Sequence, residues 1–291
     1  MGRRLRFFIP DGYPKSSRDQ FNEVGMRLAG DLYRDLLLQH LPDAECDYWY
    51  SSDDPNGGPG EQDLTPYAGI MWPGCNLTIY HTHDQRVTCQ LDLAKRAYKV
   101  GVPGFGSCWG IQMACAAAGG EVGPHPKGRE MGIARKIARS DAGKSHPMLE
   151  GKPDVYDHFV SHDDEVKRLP EGGVLLAGND WSRVQAVAVT HLNGTFWATQ
   201  YHPEYDLHEM ARLIVAREDR LIKYGFFRSH EDLAEYVDRL EALFAEPDRK
   251  DLRWQLGIDD TILSDEIRQR EFVNWLNHVV LPRATRLGLG S

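Results

Sequence analysis

Short apolar runs alternating with segments of helical period constrain this chain more than any other feature. Leu5–Ile9 reads as a buried strand, followed by a Gly/Pro/Ser loop and a helical pattern over about residues 19–40, where Phe21, Val24, Leu28, Leu32 and Leu36 recur at helical spacing. Cys46–Tyr50 and Ala68–Trp72 are the next candidate strands, with the turn-rich stretch 51–60 between them. A helix over about 85–99 then precedes a strand at Val102–Gly106. Alternation of this kind predicts an α/β fold with a mostly parallel sheet flanked by helices, because both faces of such a sheet must be covered.

Further on, Ile111–Ala118 is a strong helix former stopped by Gly119-Gly120. Residues 130–200 hold the β-like runs Gly132–Ile137, Val174–Ala177, Gln185–Val189 and Thr195–Thr199, which continue the same domain. From about Leu207 the pattern is helical. Leu233, Tyr236, Val237, Leu240, Leu243 and Phe244 share a face, Ser229 with Asp232 suggests a capping box, and Pro247 follows the run. A last helix is expected over 264–280, stopped by Leu281-Pro282. Residues 1–212 thus read as an α/β domain, and 213–291 as an α-helical extension that packs on it or mediates association.

Thirty-four basic residues against 43 acidic ones leave a net charge of −9, which supplies no field for gripping phosphate backbones. A small-molecule substrate is expected, and no nucleic acid. No apolar run approaches the ~18 residues of a membrane helix, and Met1–Phe8 has no signal-peptide core, so a cytoplasmic protein with no membrane partner is expected. The five cysteines, at 46, 75, 89, 108 and 115, include no C-x-x-C pair, which suggests neither a disulfide framework nor a zinc ribbon.

One cysteine stands apart. Gly106-Ser-Cys-Trp-Gly110 has the G-x-nucleophile-x-G form of a sharp strand-to-helix turn that lifts one side chain above a sheet, with glycines where neighbouring side chains would collide. Cys108 would also open the following helix, whose dipole favours a thiolate. Taken alone, such a short pattern is better read as a buried structural cysteine, the reading that also suits Cys115. A thiol nucleophile needs a base and a group to orient it, and Gln200-Tyr-His-Pro-Glu204 offers both. Pro203 biases His202 toward extended backbone, where residues two apart point to the same side, so His202 and Glu204 can act as one unit at a strand's end.

Other candidates are weaker. His81, His83 and Asp84 have no second cluster at metal-binding spacing, so they are expected on a loop rimming the pocket, with no metal. His125 and His158 are expected to be solvated or hydrogen-bonded, Trp109 to lie at the site and Trp275 in the core. There is no G-x-x-x-x-G-K phosphate loop.

The pair of motifs resembles the class I (triad) glutamine amidotransferases. Gly106-Ser-Cys-Trp-Gly-Ile-Gln112 is similar to that family's nucleophile motif, and His202-Pro-Glu204 matches its His-Pro-Glu motif, 94 residues beyond Cys108. Arg129-Glu-Met-Gly132, His146-Pro-Met-Leu-Glu-Gly151 and Ser161-His-Asp-Asp164 look like the landmarks between, so the resemblance covers roughly residues 5–210. It implies a flavodoxin-like fold and no cofactor. The implied triad is Cys108 as nucleophile, His202 as base and acid, and Glu204 as orienting carboxylate, acting through a γ-glutamyl thioester. It further implies an oxyanion hole from Gly74 and Trp109, and a glutamyl site including Gln112, His162, Asp163 and Asp164. Trp72-Pro-Gly-Cys75 stands where the family commonly has Ser-Gly-Gly-Pro.

Three functions follow. One is a glutaminase releasing glutamate and ammonia for a separate synthase; another is a free-standing hydrolase of γ-glutamyl amides or peptides; the third is a non-enzymatic binding protein on the same fold. A homodimer is compatible with each.

Overall fold

In the computed structural model, which describes residues 4–290, eleven strands are present. They are β1 (Arg6–Asp11), β2 (Glu45–Tyr50), β3 (Tyr67–Trp72), β4 (Gly104–Ser107), β5 (Glu121–Pro124), β6 (Glu130–Arg139), β7 (Val155–His162), β8 (Asp164–Arg168), β9 (Gly173–Gly178), β10 (Ala186–His191) and β11 (Gly194–Thr199). Nine of them form one sheet in the order β2-β1-β3-β4-β11-β10-β9-β6-β7, while β5 and β8 make a small separate ribbon. The half from β2 to β11 is parallel. Beyond β11 the pairings turn antiparallel.

Inside the edge strand β2, the parallel half is built from strands whose side chains are buried on both faces; all six residues of β3 are buried. Phe7 and Phe8 divide between the two faces, as the two-residue period of a strand requires. Phe8 joins a core with Trp72, Trp109, Leu93 and Phe196. Phe7 joins one with Ile9, Phe105, Trp197, Phe272 and Trp275. Trp275 is therefore core: its ring lies 6.2 Å from Phe7 and 5.7 Å from Phe105. The C-terminal helices cover this second face rather than standing apart from it.

Three expectations about helices are corrected. The pattern over 19–40 is two helices, Lys15–Glu23 and Ala29–His40, because Gly25 adopts φ 76° and turns the chain between them. The chain also stays helical through Pro282 to Leu287, with a π turn at Leu276–Val280. A proline inside a helix lacks one donor and crowds the preceding turn, and here a wider π turn directly precedes it. Ser229 caps Asp232 N–H as expected, but the Asp232 carboxylate bonds Arg228, so the capping box is only half formed.

Candidate active site

β4 ends at Ser107 and the helix Trp109–Ala117 begins at once, so Cys108 is the turn itself. Its backbone has φ 52° and ψ −92°, a strained position for a residue with a Cβ. The turn is held by Cys108 N–H donating to Thr199 O at 2.8 Å, which ties it to the end of β11. Close packing sets the flanking residue types. A Cβ on Gly106 would meet Trp72 O at 2.7 Å, and one on Gly110 would meet the same oxygen at 3.0 Å. Glycine is what lets β3 and the elbow approach.

The chain leaving β11 brings in the partners. His202 Nδ1 lies 2.6 Å from Glu204 Oε1, which also accepts from Ser107 Oγ at 2.7 Å. Both side chains of the pair are about 2% exposed. His202 Nε2 has no hydrogen-bond partner, and its ring stacks on Tyr205 with centroids 4.1 Å apart. Burial pulls the His202 pKa down, but the Glu204 charge and Cys108 outweigh it, leaving His202 raised to about 9. With Nδ1–H donated to Glu204, Nε2 is the nitrogen free for proton transfer.

Gly74, in the loop after β3, completes the wall. A Cβ there would lie 2.9 Å from His202 Cε1 and 3.9 Å from Cys108 Cβ, so the backbone passes directly over the pair. Trp109 turns its indole into the core, where Nε1 donates to Gln90 Oε1 at 2.9 Å, so only its amide is at the elbow.

In front of Cys108 lies a cleft of about 330 Å³. Gln112, 4% exposed, contributes an Oε1 with no partner. Asp164 accepts from Tyr80 OH at 3.0 Å, and burial, offset by that bond, raises its pKa. Asp163 accepts from Arg129 at 2.5 Å and Arg220 at 3.0 Å. His162 borders the cleft, but Nε2 bonds Glu130 at 2.8 Å and Nδ1 bonds Asp164 O at 2.9 Å, so neither ring nitrogen is free. Arg129 and Arg217 both donate to Ser161 Oγ at 2.6 Å, and the Cys108 thiol lies 3.6 Å from Ser161 O. Burial, with Arg217 alongside, lowers the Arg129 pKa to about 10.

The other flagged residues are structural. His158 donates from Nε2 to Arg268 O, and His125 lies 2.7 Å from Trp181 O. Asp84 caps the helix Gln85–Val100 by accepting from Arg86 N–H, and His81 and His83 are exposed. Among the described residues, no three His, Cys, Asp or Glu side chains are grouped to hold a metal. Cys115 is fully buried, and burial pushes its thiol up to about 12.

Ser107, Tyr80, Tyr205 and Arg217 carry contacts that sequence reasoning missed. Ser107 and Tyr205 each adjoin a recognised motif, which was the available signal; Arg217 had none.

The Glutamine amidotransferase class-I family model matches residues 57–219. Over 97% of its length the chain is 31% identical to a gamma-glutamyl-L-1-hydroxyisopropylamide hydrolase from a Pseudomonas species, of which 96% is covered. The chain belongs to the class-I glutamine amidotransferase family. Another relative, the glutamine-hydrolyzing GMP synthase of Thermosipho africanus, is 34% identical over 36% of this chain and 19% of its own. The fold is shared with a glutamine amidotransferase from Thermotoga maritima, at TM-score 0.67 and 17% identity over 96% of this chain and 99% of that one. A second, from Methylobacillus flagellatus, has TM-score 0.64 and 17% identity over 95% of each chain. The amidotransferase fold here thus includes the C-terminal helices, since both structural alignments extend well past residue 219.

Proposed function

We propose that this amidotransferase-family protein is a free-standing hydrolase of γ-glutamyl amides, with Cys108, His202 and Glu204 as its triad. The observation that carries this reading is the nearly end-to-end match to the γ-glutamyl-hydroxyisopropylamide hydrolase, against matches of about half this chain or less to the synthases. A glutaminase serving a separate synthase is the second reading, favoured by the synthase matches themselves. Both use the same chemistry and differ in the leaving amine.

In the proposed reaction the Cys108 thiolate attacks the γ-carbonyl of the substrate. The amide N–H groups of Gly74 and Trp109 receive the developing oxyanion, a contribution of about 3 kcal/mol for each such donor. As the tetrahedral intermediate collapses, the C–N bond breaks and His202 Nε2 passes its proton to the leaving nitrogen. Amine departs, or ammonia when the substrate is glutamine. His202, now neutral, takes a proton from water attacking the thioester; the C–S bond breaks, glutamate is released and the thiolate returns. Glu204 keeps Nδ1 protonated and steadies the imidazolium, and Ser107 holds Glu204. Gln112 and Asp164 hold the glutamyl group's ammonium end, with Asp163 nearby organising the arginines.

The test is glutamate release by the purified chain on glutamine and a panel of γ-glutamyl alkylamides, with intact mass following the adduct on Cys108. Faster turnover of an alkylamide than of glutamine, through a γ-glutamyl adduct, is expected. Turnover confined to glutamine, and slow without a second protein, would favour the synthase-serving reading.

A further inference from the structure

The cleft in front of Cys108 holds more positive charge than its own carboxylates answer. Arg129, Arg217 and Arg220 line it together with Asp163 and Asp164. Asp163 accepts from Arg129 and Arg220, and Asp164 accepts from the Tyr80 hydroxyl. Arg217 is left over. Its short bond is to a neutral acceptor, Ser161 Oγ at 2.6 Å, and its other contact, Tyr13 OH, is at 3.5 Å. A guanidinium has more N–H donors than these two contacts use.

The arrangement around Ser161 is unfavourable as it stands. Arg129 donates to the same hydroxyl oxygen at 2.6 Å, so two like charges converge on one uncharged atom. Burial, and then the charge of Arg217, push the Arg129 pKa down to about 10. An anion placed between the two would relieve that repulsion, and the planar fork of a guanidinium matches a carboxylate. Arg217 is well placed to hold one, because it is the junction residue between the helices Leu207–Ala216 and Glu218–Lys223.

The position is next to the chemistry. The Cys108 thiol lies 3.6 Å from Ser161 O, so a single serine residue connects the thiol to both guanidinium groups. In a γ-glutamyl group the α-carboxylate carbon stands about 5 Å from the carbonyl that a thiolate would attack, which keeps it inside the same cleft. In the reading above, Gln112 and Asp164 take the ammonium on the α-carbon. The carboxylate on that carbon has no partner there.

We propose that Arg217, with Arg129 beside it, holds the α-carboxylate of the γ-glutamyl substrate, and that the protein requires this carboxylate to be free. The proposal rests on the γ-glutamyl reading above and is the same for either leaving amine. A glutamine whose α-carboxylate is tied up in a peptide bond is refused, and so is an amide of 4-aminobutanoic acid, which lacks the group.

The experiment compares γ-glutamylethylamide with 4-aminobutanoyl-ethylamide, which differ in that carboxylate alone, on the whole protein and on its Arg217→Met variant. The unmodified protein should favour the first by roughly 100-fold or more in kcat/KM, as a site built for a charged hydrogen bond does against a substrate without it. In the variant this preference should collapse, the γ-glutamyl compound losing chiefly through KM while turnover of the analogue changes little. Arg217→Lys should recover part of the preference. Equal losses on both substrates, as a merely structural role would give, overturn the proposal. Calorimetry with L-glutamate and 4-aminobutanoate, which again differ in the α-carboxylate, reads binding without turnover. Tighter binding of glutamate that disappears in Arg217→Met supports the carboxylate site, even in a protein that hydrolyses no γ-glutamyl amide, a result that would sink the hydrolase reading alone. Equal binding of the two acids by the unmodified protein overturns the site. A carboxylate on the leaving amine is the other source of the same chemistry. If Arg217→Met erases a preference for γ-glutamylglycine over γ-glutamylethylamide and leaves the first preference intact, the assignment to the α-carboxylate is wrong.

Discussion

Glu204 and Glu271 are both buried carboxylates tied to the stretch Tyr201–Glu204, and they are treated differently. Glu271 is saturated: Lys152 Nζ approaches Oε1 at 2.8 Å and Oε2 at 3.0 Å, and Tyr201 OH donates to Oε1 as well. The Lys152 ammonium completes its own shell with Ile267 O at 2.8 Å. Burial lowers the Lys152 pKa and Glu271 pulls it back up. Glu204 instead has both of its bonds on Oε1, leaving Oε2 buried without a protein partner beside a cavity of about 200 Å³. A fully paired buried charge fixes a position. A half-paired one facing a histidine can follow a change in that histidine's charge, which suits a residue that orients a base.

The sharpest way to break this comparison begins at Cys108, the proposed nucleophile. Cys108→Ala should lower kcat on the order of 10⁶-fold, the scale seen when a triad nucleophile is removed. Measured above about pH 9, where a charged His202 no longer contributes, its melting temperature should stay near that of the unmodified protein, because a buried methyl replaces a buried thiol. Glutamate release and a thermal melt measured together check both halves. Appreciable residual turnover would mean that Cys108 is structural.

Next in size is an exchange of roles. Glu204→Gln keeps the shape but removes the charge and the bias on the histidine tautomer, and should cost roughly 10³–10⁴-fold in kcat, with its effect on stability confined to pH below about 9, where His202 is charged. Glu271→Ala should do the converse. It strands the Lys152 ammonium, destabilising the fold by about 3–5 kcal/mol, while turnover per folded molecule changes little. Denaturant titrations beside active-site counting separate the two. A Glu271 variant of normal stability that has lost its activity would erase the distinction.

The comparison also marks how far the amino-acid sequence carries. The elbow and His202-Pro-Glu204 were legible because each is local: glycines around one cysteine, and a proline that fixes the geometry between two functional groups. Trp275 and Cys115 as core followed from period and composition. The C-terminal ion pair was not legible, since Lys152 and Glu271 are 119 residues apart and have no pattern in common. For the same reason Arg217 gave no signal, although it reaches both Ser161 and Tyr13. β7 was visible only as the family landmark at its end, because its alternation is broken by His158 and by buried polar residues that find partners only in the folded chain. Pro282 misled for a different reason: the local rule is right about the missing donor, and the π turn before it is a backbone adjustment that no side-chain pattern announces.

The smallest expected effect tests the electrostatics of the half-paired site directly. Burial disfavours the charged imidazole of His202, yet Glu204 and Cys108 raise it from an ordinary 6.5 to about 9. A group whose pKa is higher in the folded state stabilises the fold fully below its unfolded pKa, near 6.5, and that contribution disappears as pH rises through about 9. The difference in unfolding free energy between the unmodified protein and His202→Gln should therefore shrink between pH 6.5 and 9.5, by up to about 3 kcal/mol. Cys108→Ala and Glu204→Gln should each flatten the dependence, since each removes one of the groups that raise His202. Glu271→Gln should leave it intact, because Glu271 reaches the catalytic stretch through the Tyr201 hydroxyl and not through the imidazole. Denaturant midpoints across that pH range provide the reading. A dependence that survives Glu204→Gln unchanged would show that His202 is held charged by something other than the carboxylate bonded to its Nδ1.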